Sequence, residues 1–275
     1  MANESETRRW NDVGCVESWT DREKLTSAVS PTLLAMVGAP SGQTVCDVGC
    51  GGGGLTVALG AAVGDEGTVV GLDISAPLLD RARERASAAG RSNVRFVEMD
   101  VQTGSGEEGP FDVVVSQFGV MFFDEPTVAF RAIRRRLRSG SGSESEGRFV
   151  FACWQEIERN PWHTRSLLRQ LLPAPVTPPV GKSPVGPFVL GDDEYVRDLL
   201  AAAGFGAVDC VEHEMTVRGE ASAVADTSQL GFIGVPPERE QEAVELVGRH
   251  LERFAVGEDV YEYPLAFRVY DARPA

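Results

Sequence analysis

The sequence is poor in the residues that build metal sites and disulfide frameworks. Its 275 residues include three histidines and five cysteines, and no two cysteines form a C-x-x-C pair. An odd number of scattered cysteines fits neither a disulfide framework nor a structural zinc site. We therefore expect no bound metal and a reducing, cytoplasmic environment. Cys46 and Cys50 are expected to be small buried residues.

Long apolar runs and excess positive charge are also missing. No stretch approaches the roughly 18–20 apolar residues that a membrane span needs. The first ten residues are polar and acidic, whereas a signal peptide would be basic and then apolar. The formal net charge is −15 at pH 7, and a strongly negative surface repels phosphate backbones and anionic lipids. The sequence therefore predicts neither a nucleic-acid partner nor a membrane partner.

What the chain does contain is a regular alternation of helix and strand patterns from about residue 30 to residue 154. Short Val-rich strands that alternate with helices are typical of a parallel sheet covered on both faces. We expect an α/β fold with a doubly wound, Rossmann-like sheet, mostly parallel with an antiparallel last strand. The predicted strands of this part are TVCDV, TVVGLDI, VRFVEMD, FDVVVSQF and RFVFACW.

The whole chain, residues 1–275, is predicted to form one domain with a cap. The cap would cover the carboxyl edge of the sheet, where ligands bind in doubly wound folds. The predicted parts are an N-terminal cap (1–29), a core (30–154), cap insertions (155–190 and 218–257) and the remainder of the sheet (191–217 and 258–275).

Two segments interrupt the alternation, and a third is rich in arginine. Residues 138–148 are rich in Gly, Ser and Glu and predict a flexible surface loop. Residues 172–187 are Pro-rich, and proline breaks both helices and strands. The arginine-rich run 131–138 fits the exposed face of an amphipathic helix in so acidic a chain. We therefore expect this run to face solvent rather than to bind phosphate.

The segment VCDVGCGGGG (45–54) places five glycines in six positions directly after a predicted strand. Such a turn lets the backbone approach a ligand closely, and Gly49-x-Gly51-x-x-Gly54 matches the dinucleotide fingerprint. Asp47, however, lies two residues before the first glycine, and the turn itself contains no Gly-Lys-Ser/Thr. A dinucleotide and a sulfonium nucleoside both remain candidates, whereas a nucleoside triphosphate is disfavoured.

Further acids end the next two predicted strands. Asp73 lies 20 residues after Gly53, and a carboxylate can accept hydrogen bonds from both hydroxyls of a ribose. Asp100 closes the third strand, where its side chain could meet an adenine amino group. With Asp47, these residues place three acids at successive strand ends, and the turn carries no basic side chain. This pattern favours a cationic ligand without phosphates, such as S-adenosylmethionine.

Taken in order, these segments resemble the motifs of class I S-adenosylmethionine-dependent methyltransferases, in particular the ubiquinone/menaquinone-biosynthesis-like branch that methylates small molecules. The likeness covers about residues 43–154 and continues in NPWHTRSL and GPFVLGDDEYVRDLLAAAGF. It implies S-adenosylmethionine as cofactor and methyl transfer to a small, largely apolar acceptor. The turn departs from the family at Gly52, where threonine is frequent.

The resemblance also implies roles for individual residues. Asp73 would accept the ribose hydroxyls, and Ile74 would pack on the adenine. Asp100 and Val101 would bracket the adenine edge, and Gln117 would lie near the methionine end. The residues that would line the methionine portion are Asp47, Gly49, Gly51 and Gly53.

An acceptor with an O–H or an acidic C–H needs a general base. His163 is our candidate because it follows the predicted fifth strand closely and because histidine titrates near neutral pH. Glu156 is a second candidate, whereas His213 is expected in the core and His250 facing solvent or the cap. Seven aromatic residues are expected near the mouth, either as the wall of an acceptor pocket or as packing beneath the cap: Trp10, Trp19, Phe118, Phe122, Phe123, Trp154 and Trp162.

Two other functions share these features. A protein that binds S-adenosylmethionine as a structural cofactor, while its pocket catalyses a cyclisation or rearrangement, would carry the same motifs without an evident base. An NAD-dependent oxidoreductase would explain the glycine fingerprint and Asp73, but the chain has no Tyr-x-x-x-Lys, and Asp47 argues against it. We predict a methyltransferase. The acceptor, the methylated atom and the oligomeric state are left open by the sequence.

Overall fold

The structure, a computed structural model, describes residues 3–38, 41–104, 108–140, 146–172, 186–224, 230 and 234–275. Four helices come first: α1 (Glu4–Trp10), α2 (Val13–Glu17), α3 (Trp19–Thr26) and α4 (Ser30–Val37). The core continues with β1 (Thr44–Val48), α5 (Gly54–Val63), β2 (Thr68–Asp73), α6 (Ala76–Ala88), β3 (Val94–Glu98), β4 (Val113–Gln117), α7 (Pro126–Arg136) and β5 (Arg148–Trp154). The C-terminal part holds α8 (Arg165–Leu168), α9 (Asp193–Ala203), β6 (Phe205–Gly219), α10 (Glu240–Leu251), β7 (Ala255–Gly257) and β8 (Val260–Pro274).

The eight strands form one mixed sheet in the order β3-β2-β1-β4-β5-β8-β6, and β7 pairs with β8. Strands β1 to β5 are parallel to one another, whereas β8 runs antiparallel to both β5 and β6. This arrangement confirms the predicted doubly wound sheet with an antiparallel last strand. The carboxyl ends of β1, β2 and β4 therefore meet at one edge.

Short-range chemistry fixes the ends of the helices that flank the sheet. The Ser75 side chain accepts a hydrogen bond from the Leu78 N–H at the start of α6. The Asp192 side chain accepts one from the Tyr195 N–H, 3.0 Å away, at the start of α9. Gly204, with a φ of 91°, ends that helix in the left-handed region that favours glycine. These caps satisfy backbone groups that the helices leave unpaired at their ends.

The core lies on both faces of the central strands. Val114 and Val150 are fully buried, as expected for parallel strands that helices cover on both sides. The stacked rings of Phe149 and Phe151 lie 4.6 Å apart on one face of β5. Phe130 of α7 packs edge-on against both rings. These ring contacts fix α7 against β5.

Helices α1 to α3 lie over this edge and are joined to it by hydrogen bonds. The Asn3 N–H donates to the Asp124 carboxylate at 2.9 Å, and the Asn11 side chain donates to the Ile74 carbonyl at 3.1 Å. The Glu23 carboxylate on α3 forms a two-point ion pair with Arg85 on α6. These contacts fix α1 to α3 against the carboxyl edge of the sheet, and the division into cap and core stays a prediction.

One arginine of the run 131–138 departs from the expectation of a solvent-facing surface. Arg136 is 2% exposed, whereas Arg131 and Arg135 are exposed. The guanidinium of Arg136 donates to the carbonyls of Ala132 at 2.9 Å and of Gly104 at 3.3 Å. The prediction was wrong for Arg136 because the helical repeat turns it onto the inner face, where carbonyl oxygens accept hydrogen bonds from two of its nitrogen atoms.

His213 is not the core residue that the sequence predicted. It lies half-buried on β6, with its ring stacked at 5.1 Å on Phe267. Val211, two residues before it on the same strand face, is 41% exposed. Within the described ranges β6 pairs only with β8 and forms an edge of the sheet, so this face is only partly covered.

Other predictions concern the cysteines, two segments and membranes. Cys46 and Cys50 are buried, as predicted. Residues 141–145 of the expected loop and residues 173–185 of the Pro-rich segment lie outside the described residues. None of the helices in the described ranges combines the length and the apolar character that a membrane crossing requires.

Candidate cofactor and acceptor site

A cavity of about 390 Å³ lies at the carboxyl edge of the sheet, against α1 and α3. Its wall includes the ends of β1, β2 and β4, which a parallel sheet brings together. The cavity therefore stands where doubly wound sheets bind their ligands. The predicted site residues that line it are Gly49, Asp73, Ile74, Asp100, Val101, Gln117 and His163.

A second cleft of about 550 Å³ adjoins the glycine turn and is lined by Asp47, which does not line the first cavity. Gly49 and Gln117 line both spaces, as do Trp19 and Thr26 of α3. Of the four residues that the resemblance assigns to the methionine portion, Gly49 lines both spaces and Asp47 lines the second cleft.

The glycine turn is held by the carboxylate of Asp73. One oxygen of this carboxylate accepts the Gly51 N–H at 2.8 Å, and the other accepts the Ser75 N–H at 2.9 Å. Gly49, Gly51 and Gly53 all have positive φ, at 70°, 52° and 76°. L side chains rarely adopt this conformation, so the path of the turn depends on glycine.

Gly51 and Gly53 face protein rather than either cavity. A β-carbon on Gly51 would lie 2.7 Å from Cη2 of Trp19. A β-carbon on Gly53 would lie 2.8 Å from the β-carbon of Ala82 on α6. Neither glycine lines the two spaces, so their assignment to the methionine portion stays a prediction, and their observed contacts are with packed side chains.

The three acids differ in their surroundings. Asp47 is 1% exposed and accepts a hydrogen bond from Thr56 at 2.6 Å; burial raises its pKa to about 7, against the opposing effect of that hydrogen bond. Burial also raises the pKa of Asp73, while the N–H groups that it accepts favour its charged form. Burial raises the pKa of Asp100, and the Gln102 N–H opposes this shift. Each carboxylate is therefore partly desolvated at the edge where a cation would bind.

Gln117 uses both polar atoms of its side chain within the protein. Its Oε1 accepts from the Ser30 hydroxyl at 2.8 Å, and its Nε2 donates to the Thr26 carbonyl at 2.9 Å. Gln117 therefore ties the end of β4 to the end of α3 and the start of α4. Its side chain lines the cavity while being held by the first helices.

All seven aromatic residues expected near the mouth line the first cavity. Phe118 and Trp154 stack with their ring centroids 4.0 Å apart, and Trp162 meets Trp154 edge-on at 5.3 Å. Trp10 meets Phe122 edge-on at 5.3 Å. The ring contacts form two apolar groups in the cavity wall, Trp10 with Trp19 and Phe122, and Trp154 with Phe118 and Trp162. These groups favour the interpretation as a pocket wall over packing beneath a closed cap.

His163 lines the same cavity and lies edge-on to Phe188, with centroids 4.6 Å apart. Its segment is fixed by Asn160, whose amide donates to the Ala266 carbonyl at 2.9 Å and accepts the Ala266 N–H at 3.0 Å. The Pro161 carbonyl contacts Nε2 of His250 at 2.6 Å, which places His250 against the segment next to the cavity.

Glu156, the second base candidate, does not line the cavity. Its carboxylate forms an ion pair with Arg268 at 3.2 Å. The structure therefore separates the two candidates: His163 lies at the cavity, and Glu156 supports a buried arginine elsewhere.

Comparisons with known proteins agree with this geometry. A family profile described as a methyltransferase domain matches residues 45–140. Nocamycin O-methyltransferase of Saccharothrix syringae is 29% identical over 262 residues, which are 90% of this chain and 91% of that protein. These matches confirm the predicted resemblance to class I S-adenosylmethionine-dependent methyltransferases. The predicted enzyme class and its cofactor are thereby confirmed.

Other matches cover less sequence or show the fold alone. Demethylmenaquinone methyltransferase of Shouchella clausii (strain KSM-K16) is 39% identical over 80 residues, 29% of the chain and 34% of that protein. The aligned part thus spans about a third of this relative's length. The name of this relative agrees with the predicted branch. The crystal structure of the YcgJ protein from Bacillus subtilis has a TM-score of 0.59 at 15% identity, covering 90% of this chain and 99% of that one. This likeness supports the fold.

The residues of the methyltransferase fit its cofactor. A β-carbon on Gly49 would lie 2.8 Å from the α-carbon of Gly119. The turn therefore has no room for a side chain at Gly49, beside the cavity. Asp73 and Asp100 line the cavity as hydrogen-bond acceptors, as a ribose and an adenine amino group require. Within the described ranges, no group of three or more His, Cys, Asp or Glu could hold a metal ion.

Several residues of the wall were missed by sequence reasoning. Gly119 follows β4 and packs against the turn after β1, and Phe118 beside it has a φ of 61°. Arg22 and Glu6, from the first helices, also line the cavity. A glycine directly after a predicted strand was the available signal for Gly119, but the helices gave no pattern that indicates which of their charged residues face the site.

Proposed function

We propose that this methyltransferase transfers the methyl group of S-adenosylmethionine to an oxygen of a small, largely apolar acceptor. One observation carries the proposal: a single cavity wall combines the strand-end residues Gly49, Asp73 and Asp100 with aromatic rings and His163. A cofactor held at the acids and an acceptor held at the rings would therefore share one space. Such clefts, mostly apolar with a few polar groups, are typical of small-molecule sites.

Bound S-adenosylmethionine supplies an electrophilic methyl group on a sulfonium sulfur. Asp73 would bind the ribose hydroxyls, Ile74 and Val101 would contact the adenine, and Asp100 would accept its amino group. The stacked rings of Phe118 and Trp154 would exclude water and orient the acceptor. Orientation of this kind can contribute roughly 7–11 kcal/mol in favourable intramolecular cases.

His163 would take the proton that an acceptor hydroxyl loses during transfer. It lines the cavity beside Trp162, and histidine changes its charge near neutral pH. A well-placed general base contributes roughly 10²- to 10⁴-fold in rate. An amine acceptor that is already unprotonated would not need this group, which is why we favour oxygen.

The match to nocamycin O-methyltransferase supports the same acceptor class. It extends over 90% of the chain, well beyond the residues 45–140 that match the domain profile. The segments outside the core, which would hold the acceptor, are therefore included in the likeness. The name of that relative is consistent with oxygen as the methylated atom.

The test is a methyl-transfer assay on purified protein with a panel of hydroxylated aromatic and polycyclic acids, following release of S-adenosylhomocysteine. We expect turnover on a member of the panel, and His163→Ala should lower it at least 100-fold while affinity for S-adenosylhomocysteine is retained. Glu156→Gln is the matched control and should keep full turnover, because Glu156 lies outside the cavity. Unchanged turnover in His163→Ala would remove its assignment as base. Methylation of amines alone would contradict the oxygen acceptor.

We further infer that the cap consists of residues 1–29, 155–190 and 218–257. The core (30–154) is completed by residues 191–217 and 258–275. Hydrogen exchange with and without S-adenosylhomocysteine tests this division. Protection in residues 1–29 and at the strand ends would support it, and uniform protection would contradict it.

We also infer action in the cytoplasm, because the odd number of scattered cysteines fits a reducing environment. We infer no nucleic-acid partner, because the net charge of −15 repels phosphate. Cell fractionation tests the location, and a filter-binding assay with DNA and RNA should show no retention. Recovery with membranes, or retained nucleic acid, would contradict the inference.

A further inference from the structure

The indole of Trp19, on α3, lies directly against the glycine turn. A β-carbon on Gly51 would stand 2.7 Å from Cη2 of this ring, and one on Gly52 would stand 2.9 Å from its Nε1. The ring can occupy this position only because the turn carries no side chains there. Gly52, the position at which the family frequently has threonine, therefore accommodates the indole nitrogen.

The N–H group of this indole is buried and has no hydrogen-bond partner among the residues that the structure describes. An unpaired polar group out of water costs free energy, and buried indole N–H groups usually find an acceptor. Trp10, in the same cavity wall, follows that rule because its Nε1 donates to Glu6 at 3.0 Å. A ligand oxygen would give Trp19 the partner that the protein does not supply.

Trp19 stands where the two spaces of the site meet. It lines both the 390 Å³ cavity and the 550 Å³ cleft, whereas Asp73 lines only the first and Asp47 only the second. The first holds the residues assigned to ribose and adenine, and the second holds Asp47, assigned to the methionine portion. A residue at this junction is placed to contact the amino-acid end of the cofactor.

The glycine turn has few donors left for an anionic group. The N–H groups of Gly49 and Cys50 donate to the Leu72 carbonyl at 2.8 and 3.1 Å. That of Gly51 is taken by Asp73, and that of Gly53 donates to the Cys50 carbonyl at 2.9 Å. A carboxylate needs several donors, so donors from outside the turn are required.

The charges around the indole favour an anion on that side. The guanidinium of Arg22 lies 5.9 Å from the centroid of the Trp19 ring. Glu23, on the same helix, has both carboxylate oxygens bonded to Arg85, so its negative charge is neutralised locally. We propose that Trp19 is a cofactor-binding residue whose indole N–H donates a hydrogen bond to the carboxylate of the methionine portion. This inference rests on the cofactor alone and not on the proposed acceptor.

Two adenosyl ligands separate this role from simple packing. S-adenosylhomocysteine carries the carboxylate, whereas 5′-methylthioadenosine keeps the adenosine and the sulfur but has no amino-acid portion. Trp19→Phe keeps an aromatic ring and removes the donor. In titration calorimetry we expect this variant to bind S-adenosylhomocysteine about tenfold more weakly, as loss of a hydrogen bond to a charged group predicts. Its affinity for 5′-methylthioadenosine should change less than about twofold, within the usual effect of such a substitution.

Trp162→Phe is the matched control. Trp162 also lines the first cavity and has a buried N–H without a partner in the described part of the chain, but it lies beside His163. This variant should bind both ligands as the parent protein does. Equal weakening of both ligands in Trp19→Phe would make Trp19 a packing residue for the adenosine and overturn the proposal. Unchanged affinity for S-adenosylhomocysteine would also overturn it.

A measurement on the unaltered protein covers the case in which Trp19→Phe does not fold. The chain has four tryptophans, so an NMR spectrum of ¹⁵N-labelled indoles has four side-chain signals. One of them should move downfield with S-adenosylhomocysteine and stay in place with 5′-methylthioadenosine. The same response to both ligands, or no response to either, would contradict a hydrogen bond to the carboxylate.

Discussion

The α-carbon of Gly119 lies 2.8 Å from the position that a β-carbon on Gly49 would occupy. The turns that follow β1 and β4 therefore meet backbone to backbone at the edge of the cavity. The contact is reciprocal, because a β-carbon on Gly119 would lie 2.7 Å from the Val48 carbonyl oxygen. A side chain at Gly49 or at Gly119 would therefore require the ends of β1 and β4 to separate.

Gly49→Ala should lower the free energy of unfolding by roughly 2–5 kcal/mol, because a positive φ and crowding act together. Gly90→Ala is the control, since Gly90 has a similar φ of 64° and nothing within 4 Å of its β-carbon position. We expect the free energy of unfolding of Gly90→Ala to fall by roughly 1–2 kcal/mol, the cost of the positive φ alone. Urea denaturation measures both variants. Equal losses of stability in the two variants would show that crowding against Gly119 adds no cost to the substitution of Gly49.

Asp73→Asn should weaken the binding of S-adenosylhomocysteine by about 1–3 kcal/mol. The carboxylate oxygens accept one backbone N–H each, from Gly51 and from Ser75. The substitution replaces one of these oxygens by an NH₂ group, which cannot accept, so one of the two hydrogen bonds is lost. Titration calorimetry measures the change. Asp80→Asn, at an exposed acid that pairs only locally with Arg83, should bind as the parent protein does. Unchanged affinity in Asp73→Asn would exclude Asp73 from the site.

Asp47 should make the stability of the protein depend on pH. Burial raises its pKa to about 7 from an ordinary value of 3.8, so the folded state holds the proton more tightly than the unfolded state. Its contribution to stability is therefore present below about pH 4 and is lost as the pH rises through about 7. Asp47→Asn, which still offers Thr56 an acceptor, removes this titration.

We expect the stability of Asp47→Asn relative to the parent protein to rise by about 2 kcal/mol between about pH 5.5 and about pH 8. Urea denaturation at several pH values in this window measures the difference. Parallel profiles for the two proteins in this window would mean that the pKa of Asp47 is not raised, because an ordinary or a lowered pKa leaves the carboxylate charged throughout.

Asn160→Ala should destabilise the protein by about 2–4 kcal/mol, because it leaves the buried N–H and carbonyl of Ala266 without their side-chain partners. Asn160 is fully buried. Gln170→Ala removes an exposed amide and should change stability by less than about 0.5 kcal/mol. Denaturation in urea compares them. A loss no larger than that of the control would show that Asn160 does not anchor the segment of His163.

The sequence predicted the parts of the site that depend on local patterns. Asp73 and Asp100 could be placed at the cavity because Asp73 ends β2 and Asp100 follows β3 by two residues, and parallel strands end at the same edge. The contact of Trp19 with Gly51 joins residues 32 positions apart, and Asn160 pairs with Ala266 across 106 positions. Such contacts follow from how the elements pack, and no short motif encodes them.

The burial of Arg136 shows a different limit. Four neighbouring arginines of α7 look alike in the sequence, yet the 3.6-residue repeat turns this one inward. Whether an inward arginine is tolerated depends on carbonyl oxygens from elsewhere, here that of Gly104. Composition and net charge predict that all four side chains face solvent, because they carry no information about those distant acceptors.

Strand β6 has a consequence for the behaviour of the protein in concentrated solution. It is 15 residues long, and within the described ranges its outer side has no neighbouring strand. An open strand of this length can recruit another molecule and start aggregation. Its exposed side chains include Asp209, Glu212 and Glu214, and Glu212 and Glu214 form ion pairs with Arg268 and Arg159. Charged side chains along an edge strand oppose its pairing with a second copy.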